Sequence, residues 1–191
     1  MKRFLIILIS ALLAFSLCSC SRSDGGVVVA DGMKLAGNEA GNKAVQYSFT
    51  YPEEWTLARN DGVIELQYDC DESTATVQYA TVTVLSFTLA DSTQTAKAYW
   101  TEHEKQLSGI YSDYKLLDTE EYNEEGKLLD DSPAIKVKYQ GALNGKTYIN
   151  EQLICCRYGD VYLITLVVPE QFADKTEKII AAVAENFKFV K

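Results

Sequence analysis

Residues 134–168 hold three stretches rich in apolar and β-branched side chains, 134–143, 146–157 and 161–168, parted by Asn144-Gly145 and Gly159-Asp160. An Asn-Gly break between such stretches selects a turn whose twist matches that of antiparallel strands. Three consecutive antiparallel strands are therefore predicted. The last, VYLITLVV, has Thr165 as its one hydroxyl besides the phenol of Tyr162, so it requires apolar cover on both faces. A chain containing this meander must build a sheet with material above and below it.

The remaining segments fit around that sheet. Residues 45–51 (VQYSFTY) place Val45, Tyr47, Phe49 and Tyr51 on one face and Gln46, Ser48 and Thr50 on the other, a half-buried strand. After Pro52-Glu53-Glu54, residues 55–60 and 63–68 form a hairpin across Asp61-Gly62, and residues 79–89 (YATVTVLSFTL) a long strand. The period then changes. Ala96, Trp100, His103, Leu107 and Ile110 recur at spacings of three and four, opposite Lys97, Thr101, Glu104, Lys105 and Ser108, which predicts an amphipathic helix over 95–111. Residues 114–121 and 127–130 read as strands flanking the acidic turn Asn123-Glu124-Glu125-Gly126. A final helix over 169–186 carries Phe172, Thr176, Ile179, Ile180, Val183 and Phe187 on one stripe, and a short strand over 187–190 follows.

The beginning of the chain has a different character. Met1-Lys2-Arg3 is basic, and FLIILISALLAF follows with Ser10 as its one polar residue. That is the layout of a secretory signal, and the run is too short for a bilayer span, which needs about 20 residues. Leu17-Cys18-Ser19-Cys20 comes next and resembles the bacterial lipobox, a small residue before a modified cysteine with an aliphatic residue three positions ahead; Cys18 departs from the usual small residue at its place. The resemblance implies a signal peptide over 1–19 and a lipid on Cys20. An acyl chain contributes about 0.8 kcal/mol per buried CH₂, so two or three chains hold firmly. Residues 20–43, rich in Gly, Ser, Asp and Asn, read as a flexible tether with a short strand near 27–30 or 33–36, and residues 44–191 as one globular domain. The expected location is the extracytoplasmic face of a bacterial membrane.

Of the 18 lysines and arginines, Lys2 and Arg3 precede Cys20, while all 27 acidic residues follow it, so the mature chain carries about −11 charges. A surface that negative disfavours nucleic acid and anionic headgroups, which leaves the lipid as the membrane attachment. Twelve Tyr and seven Phe against three Pro favour strands. Cys70, Cys155 and Cys156 remain in the domain. Adjacent strand residues point to opposite faces, so at most one of Cys155 and Cys156 can face Cys70. A disulfide between Cys70 and one of them would close a loop of roughly 85 residues and contribute about 4 kcal/mol; three unpaired thiols are the other reading.

Few residues suggest chemistry. His103 is the one histidine, a packing residue on the helix face or the single available imidazole base. Asp69, Asp71 and Glu72 are the candidates for weak cation binding, since Ca²⁺ selects clustered carboxylates. The segment does not follow the EF-hand pattern, with Ala75 near the place of the turn glycine and Ala80 where the bidentate glutamate belongs. Cys155-Cys156 lacks the C-x-x-C spacing of zinc or redox sites, and no G-x-S-x-G, P-loop or G-x-G-x-x-G occurs. The expectation is no catalytic residue and no cofactor beyond weak Ca²⁺.

The element order, together with Tyr51-Pro52-Glu53-Glu54-Trp55 after the first strand and Asn186-Phe187-Lys188-Phe189 at the end, resembles the PsbP-like family over residues 45–191. The founding members are extrinsic subunits of the oxygen-evolving photosystem. The resemblance implies an α+β fold, an α-β-α sandwich around a mainly antiparallel sheet, and a non-enzymatic binding or assembly role on membrane complexes. Calcium or manganese retention, linked to family members on photosystems, carries over to no residue here. The expected function is a membrane-anchored binding domain docking on a protein at the membrane surface. Binding of a cation or small ligand is the alternative, and a hydrolase with residues scattered in sequence the third reading.

Overall fold

A computed structural model describes residues 27–30, 33–37, 47–60, 62–71, 78–122 and 129–190. The signal segment, Cys20, Glu72 and the acidic turn at 123–126 lie outside the described residues. The strands are β1 (Val27–Ala30), β2 (Met33–Gly37), β3 (Tyr47–Pro52), β4 (Thr56–Asn60), β5 (Val63–Asp69), β6 (Tyr79–Thr88), β7 (Ser112–Tyr122), β8 (Ala134–Leu143), β9 (Lys146–Arg157), β10 (Asp160–Pro169) and β11 (Lys188–Phe189). Two helices, α1 (Ala96–Ile110) and α2 (Ile179–Glu185), and a 3₁₀ segment, Glu170–Lys175, complete the fold. It is an α+β fold in which every pairing between described strands is antiparallel.

The main sheet runs β4-β5-β6-β10-β9-β8-β7, with the doubly covered β10 at its centre. Its meander is set by turns at Asn144-Gly145 and Tyr158-Gly159, all four residues at positive φ. This is the backbone of tight hairpins, and it corrects the second turn by one residue: Asp160 is already in β10, opposite Arg157. Residues 129–130, expected as strand, instead enter a third such turn. Asp130 and Asp131 sit at φ 47° and 62°, closed by Leu129 bridging Ser132. Aspartate tolerates this backbone region better than most side chains, which favours the turn over an extended run.

Alternation along the strands divides the interior into two layers. Ile135, Val137, Tyr139, Ile154, Val161 and Leu163 face α1, whose Tyr99, Trp100 and Leu107 bury against them. The Thr95 hydroxyl accepts the Ala98 N–H (3.2 Å) and so caps α1. At the other end the Tyr111 ring lies on Gly141, where a Cβ would stand 2.5 Å from the Tyr111 Cβ and Cγ. Gly141→Ala is therefore expected to expel that ring and cost about 2–3 kcal/mol, read as a fall in the urea midpoint at unchanged slope.

The opposite layer holds Val82, Val84, Leu153, Tyr162, Ile164 and Leu166 of the main sheet. It is covered by α2 together with a second sheet, β1-β2-β3-β11, so strands share with a helix the face for which a helix was expected. The cause is β3, whose Tyr47, Phe49 and Tyr51 all point inward and are almost fully buried. β1 and β2, within the segment read as a tether, pair with each other, and β2 pairs with β3. The helix expected over 169–186 is divided. The Thr176 hydroxyl and N–H both bond the Ala173 carbonyl (3.1 Å each), ending the 3₁₀ segment before α2 begins. A threonine hydroxyl that competes for backbone partners in this way disfavours a continuous helix. The apolar stripe survives the break, with Ile179, Ile180, Val183 and Phe187 buried.

β11 is fastened at its free side by Asp130. The Asp130 carboxylate accepts the Phe189 N–H (2.8 Å) and pairs with Lys188 Nζ (3.0 Å), while Arg157 Nη1 donates to the Asp130 carbonyl (3.0 Å). Partial burial works to raise this carboxyl's pKa, but the Phe189 N–H and Lys188 outweigh it and hold the group below its ordinary range.

Candidate functional site

Cross-strand register shows where the α1-facing surface stops being core. Val63, Leu85, Leu163, Ile154 and Ile135 lie side by side in one apolar row. The next row on the same face is Glu65, Thr83, Thr165, Gln152 and Val137, and the one after it Gln67, Thr81, Val167, Asn150 and Tyr139. α1 packs over β7, β8 and β9, so the polar residues of β5, β6 and β10 form a strip beside the helix.

Two polar residues of β9 that border this strip, Gln152 and Asn150, are buried with hydrogen-bonding capacity to spare. Gln152 Nε2 donates to Thr165 Oγ1 (2.8 Å), yet Gln152 Oε1 has no partner among the described residues. Asn150 Oδ1 accepts the Tyr111 hydroxyl (3.2 Å), while Asn150 Nδ2 is unpartnered in the same sense. On α1, His103 Nδ1 and the Tyr99 hydroxyl are also buried and unpartnered there. Such groups are uncommon in protein interiors and mark places where a polar partner would be accepted.

Burial lowers the His103 pKa to about 4, so the imidazole is neutral at neutral pH. It lies between the Tyr99 and Trp100 rings, at centroid distances of 5.5 and 6.1 Å. The nearby Glu104 carboxylate accepts from the Tyr114 hydroxyl (3.1 Å). Burial, then the neighbouring Tyr148, pushes Tyr111 up to about 12. The strip thus offers neutral amide, hydroxyl and imidazole groups with Glu65 as its acidic member, an assembly suited to hydrogen bonding rather than to proton transfer.

The residues singled out from the sequence are dispersed. Asp69 Oδ1 accepts the Asp71 N–H (3.1 Å), and among the described residues no three His, Cys, Asp or Glu side chains are grouped to hold a metal ion. Cys70, Cys155 and Cys156 are free thiols. Cys70 and Cys155 belong to the layer under β3 and α2, and Cys156 packs on the α1 side. Burial raises all three, Cys155 to about 12 with Cys156 adding to it, and Cys156 to about 11, so they are poor nucleophiles. Asn150 and Gln152 escaped the sequence reading. Their signal was two amide side chains at alternate positions, flanking Glu151, on the side of β9 that also carries Ile154.

No known family's sequence profile matches the chain. No curated protein matches it either. Solved structures do match in shape. Cyanobacterial PsbP (CyanoP) from Synechocystis sp. PCC 6803 superposes with a TM-score of 0.54 at 16% identity, over 92% of this chain and 99% of that one. The two share a fold. LpqN of Mycobacterium tuberculosis, described as involved in cell envelope biogenesis, gives 0.55 at 12% identity over 84% and 93%. PA94 of Pseudomonas aeruginosa, a protein of unknown function, gives 0.51 at 13% identity over 77% and 91%. These likenesses support the α+β, mainly antiparallel fold class expected from the sequence, while identities this low leave function to the residues themselves.

Proposed function

We propose that the chain is a lipid-anchored, extracytoplasmic binding module, non-catalytic, that docks on a membrane-associated protein through the polar strip beside α1. The observation that carries this reading is the pair of buried side-chain atoms, Gln152 Oε1 and Asn150 Nδ2, which have no partner among the described residues and lie next to a row of hydroxyl and amide groups. The lipobox-like Cys20 and its apolar leader supply the location, and the shared fold with an envelope-biogenesis protein supports it. Neither a metal nor a cofactor enters the proposal.

The test is photo-crosslinking in intact cells with a benzophenone amino acid at Thr165. A discrete adduct with a membrane-associated protein is expected. Cys20→Ala is expected to move the chain into the soluble fraction and to reduce the adduct at least tenfold. An adduct of unchanged yield from the Cys20→Ala chain would remove the role of the anchor, and turnover of ester, peptide or glycoside substrates by the purified protein would remove the non-catalytic reading.

A further inference from the structure

β7 is an edge strand among the described ones: β8 pairs with one side of it, and on its other side the backbone N–H and C=O groups have no described strand beside them. Residues 115–120 are all exposed. The large exposed hydrophobic residues among the described ones are Leu116, Leu117, Tyr158 and Val190, and two of these four are neighbours on this edge. In a regular strand consecutive side chains take opposite faces, and their exposures differ accordingly. Leu116 and Leu117, 38% and 39% exposed, stand where the register shifts between Leu116 and Asp118, a bulge that sets two residues against one of β8. The result is an apolar pair on an open edge.

The charges around that pair are self-complementary. We infer that β7 is a homodimerisation edge, on which a second copy of this chain lays its own β7 antiparallel about a two-fold axis between Leu116 and Leu117. In that register each Leu116 opposes the other copy's Leu117, each Lys115 its Asp118, and each Tyr114 its Thr119. Moving the axis by half a step, onto Leu116 or Leu117, would set leucine or threonine against Lys115 and lose both ion pairs. The pairable stretch has a natural end, because Asp113 stands at φ 54° with a further register shift between Ser112 and Lys115. Glu120 is thereby spared a direct acidic partner. An isologous contact of this kind closes at two copies and does not propagate into a fibre. A foreign strand would need no such symmetry in β7, and that is why the second copy is the chosen occupant.

The experiment uses full-length chains carrying two different tags, co-expressed and co-purified from membranes. Wild-type copies are expected to co-purify. Lys115→Asp in both copies sets acid against acid at two places related by symmetry, and recovery is expected to fall about tenfold. Asp118→Lys in both copies is expected to do the same. Pairing one Lys115→Asp copy with one Asp118→Lys copy restores opposite charges at both places, and recovery is expected to return to within about twofold of wild type. Both positions of the test are on the surface, and unchanged thermal midpoints show that folding is intact. Absence of wild-type co-purification, or a mixed pair recovered no better than the like-charged pairs, overturns the proposal.

Discussion

Replacing Phe187 by alanine is expected to cost about 4 kcal/mol of unfolding free energy, enough to consume a large share of the 5–15 kcal/mol typical of a domain this size. Phe187 is fully buried where α2 hands over to β11. Its ring stacks on Tyr47 (5.1 Å between centroids, 21° between planes) and on Phe49 (6.2 Å, 6°), and meets Phe189 edge-on at 5.2 Å. Alanine would remove the ring on which three others rest, and β3 and α2, pinned from outside by the main sheet, have little freedom to close the gap. Phe187→Leu, which keeps most of the volume, is expected to lose less than half as much. Denaturant midpoints measure both. A loss below about 1 kcal/mol for alanine would mean that the second sheet does not rest on this layer.

The second large effect is on acid stability. Folded His103 takes up a proton only near pH 4, whereas in the unfolded chain an ordinary histidine does so near 6.5. Between those values the unfolded chain alone binds the proton, so stability falls as pH drops through the window and is independent of this group above about 6.5. At roughly 1.4 kcal/mol per pH unit the full effect is about 3 kcal/mol by pH 4. The surrounding carboxylates add their own titration. The difference between the wild-type and His103→Phe profiles isolates the histidine: the two should run parallel above pH 7 and diverge below 6, with wild type the steeper. Parallel profiles throughout would show that the imidazole is accessible to water.

The elements legible in the sequence are those in which local chemistry and long-range packing agree. The aromatic alternation of β3, the Asn144-Gly145 turn and the α1 face of Ala96, Trp100, His103 and Leu107 each follow from spacing alone, and each is buried or turned as expected. Tyr99 was missed because it falls one residue from Trp100 on the helical stripe, yet its ring meets that of Phe87, in the same layer, at 6.2 Å. The break between the 3₁₀ segment and α2 was hidden because Thr176 occupies a legitimate place on an unbroken apolar stripe; only its hydroxyl bond to Ala173 reveals the interruption. The polar strip was illegible for a different reason. Glu65, Thr83, Thr165 and Gln152 come from four strands, and only the pairing order β5-β6-β10-β9 brings them into one row. Spacing within any one strand does not contain that order.

The Asp130 contacts join the carboxyl-terminal strand to a turn laid down long before it. Lys188 and Phe189 follow Asp130 by 58 and 59 residues in the chain, so β3 keeps an open border, and Asp130 lacks its two partners, until that later stretch has been made. Under the export reading this ordering is useful: a polypeptide that must thread a narrow translocation channel as an extended chain profits from a fastening that cannot snap shut prematurely on the cytosolic side.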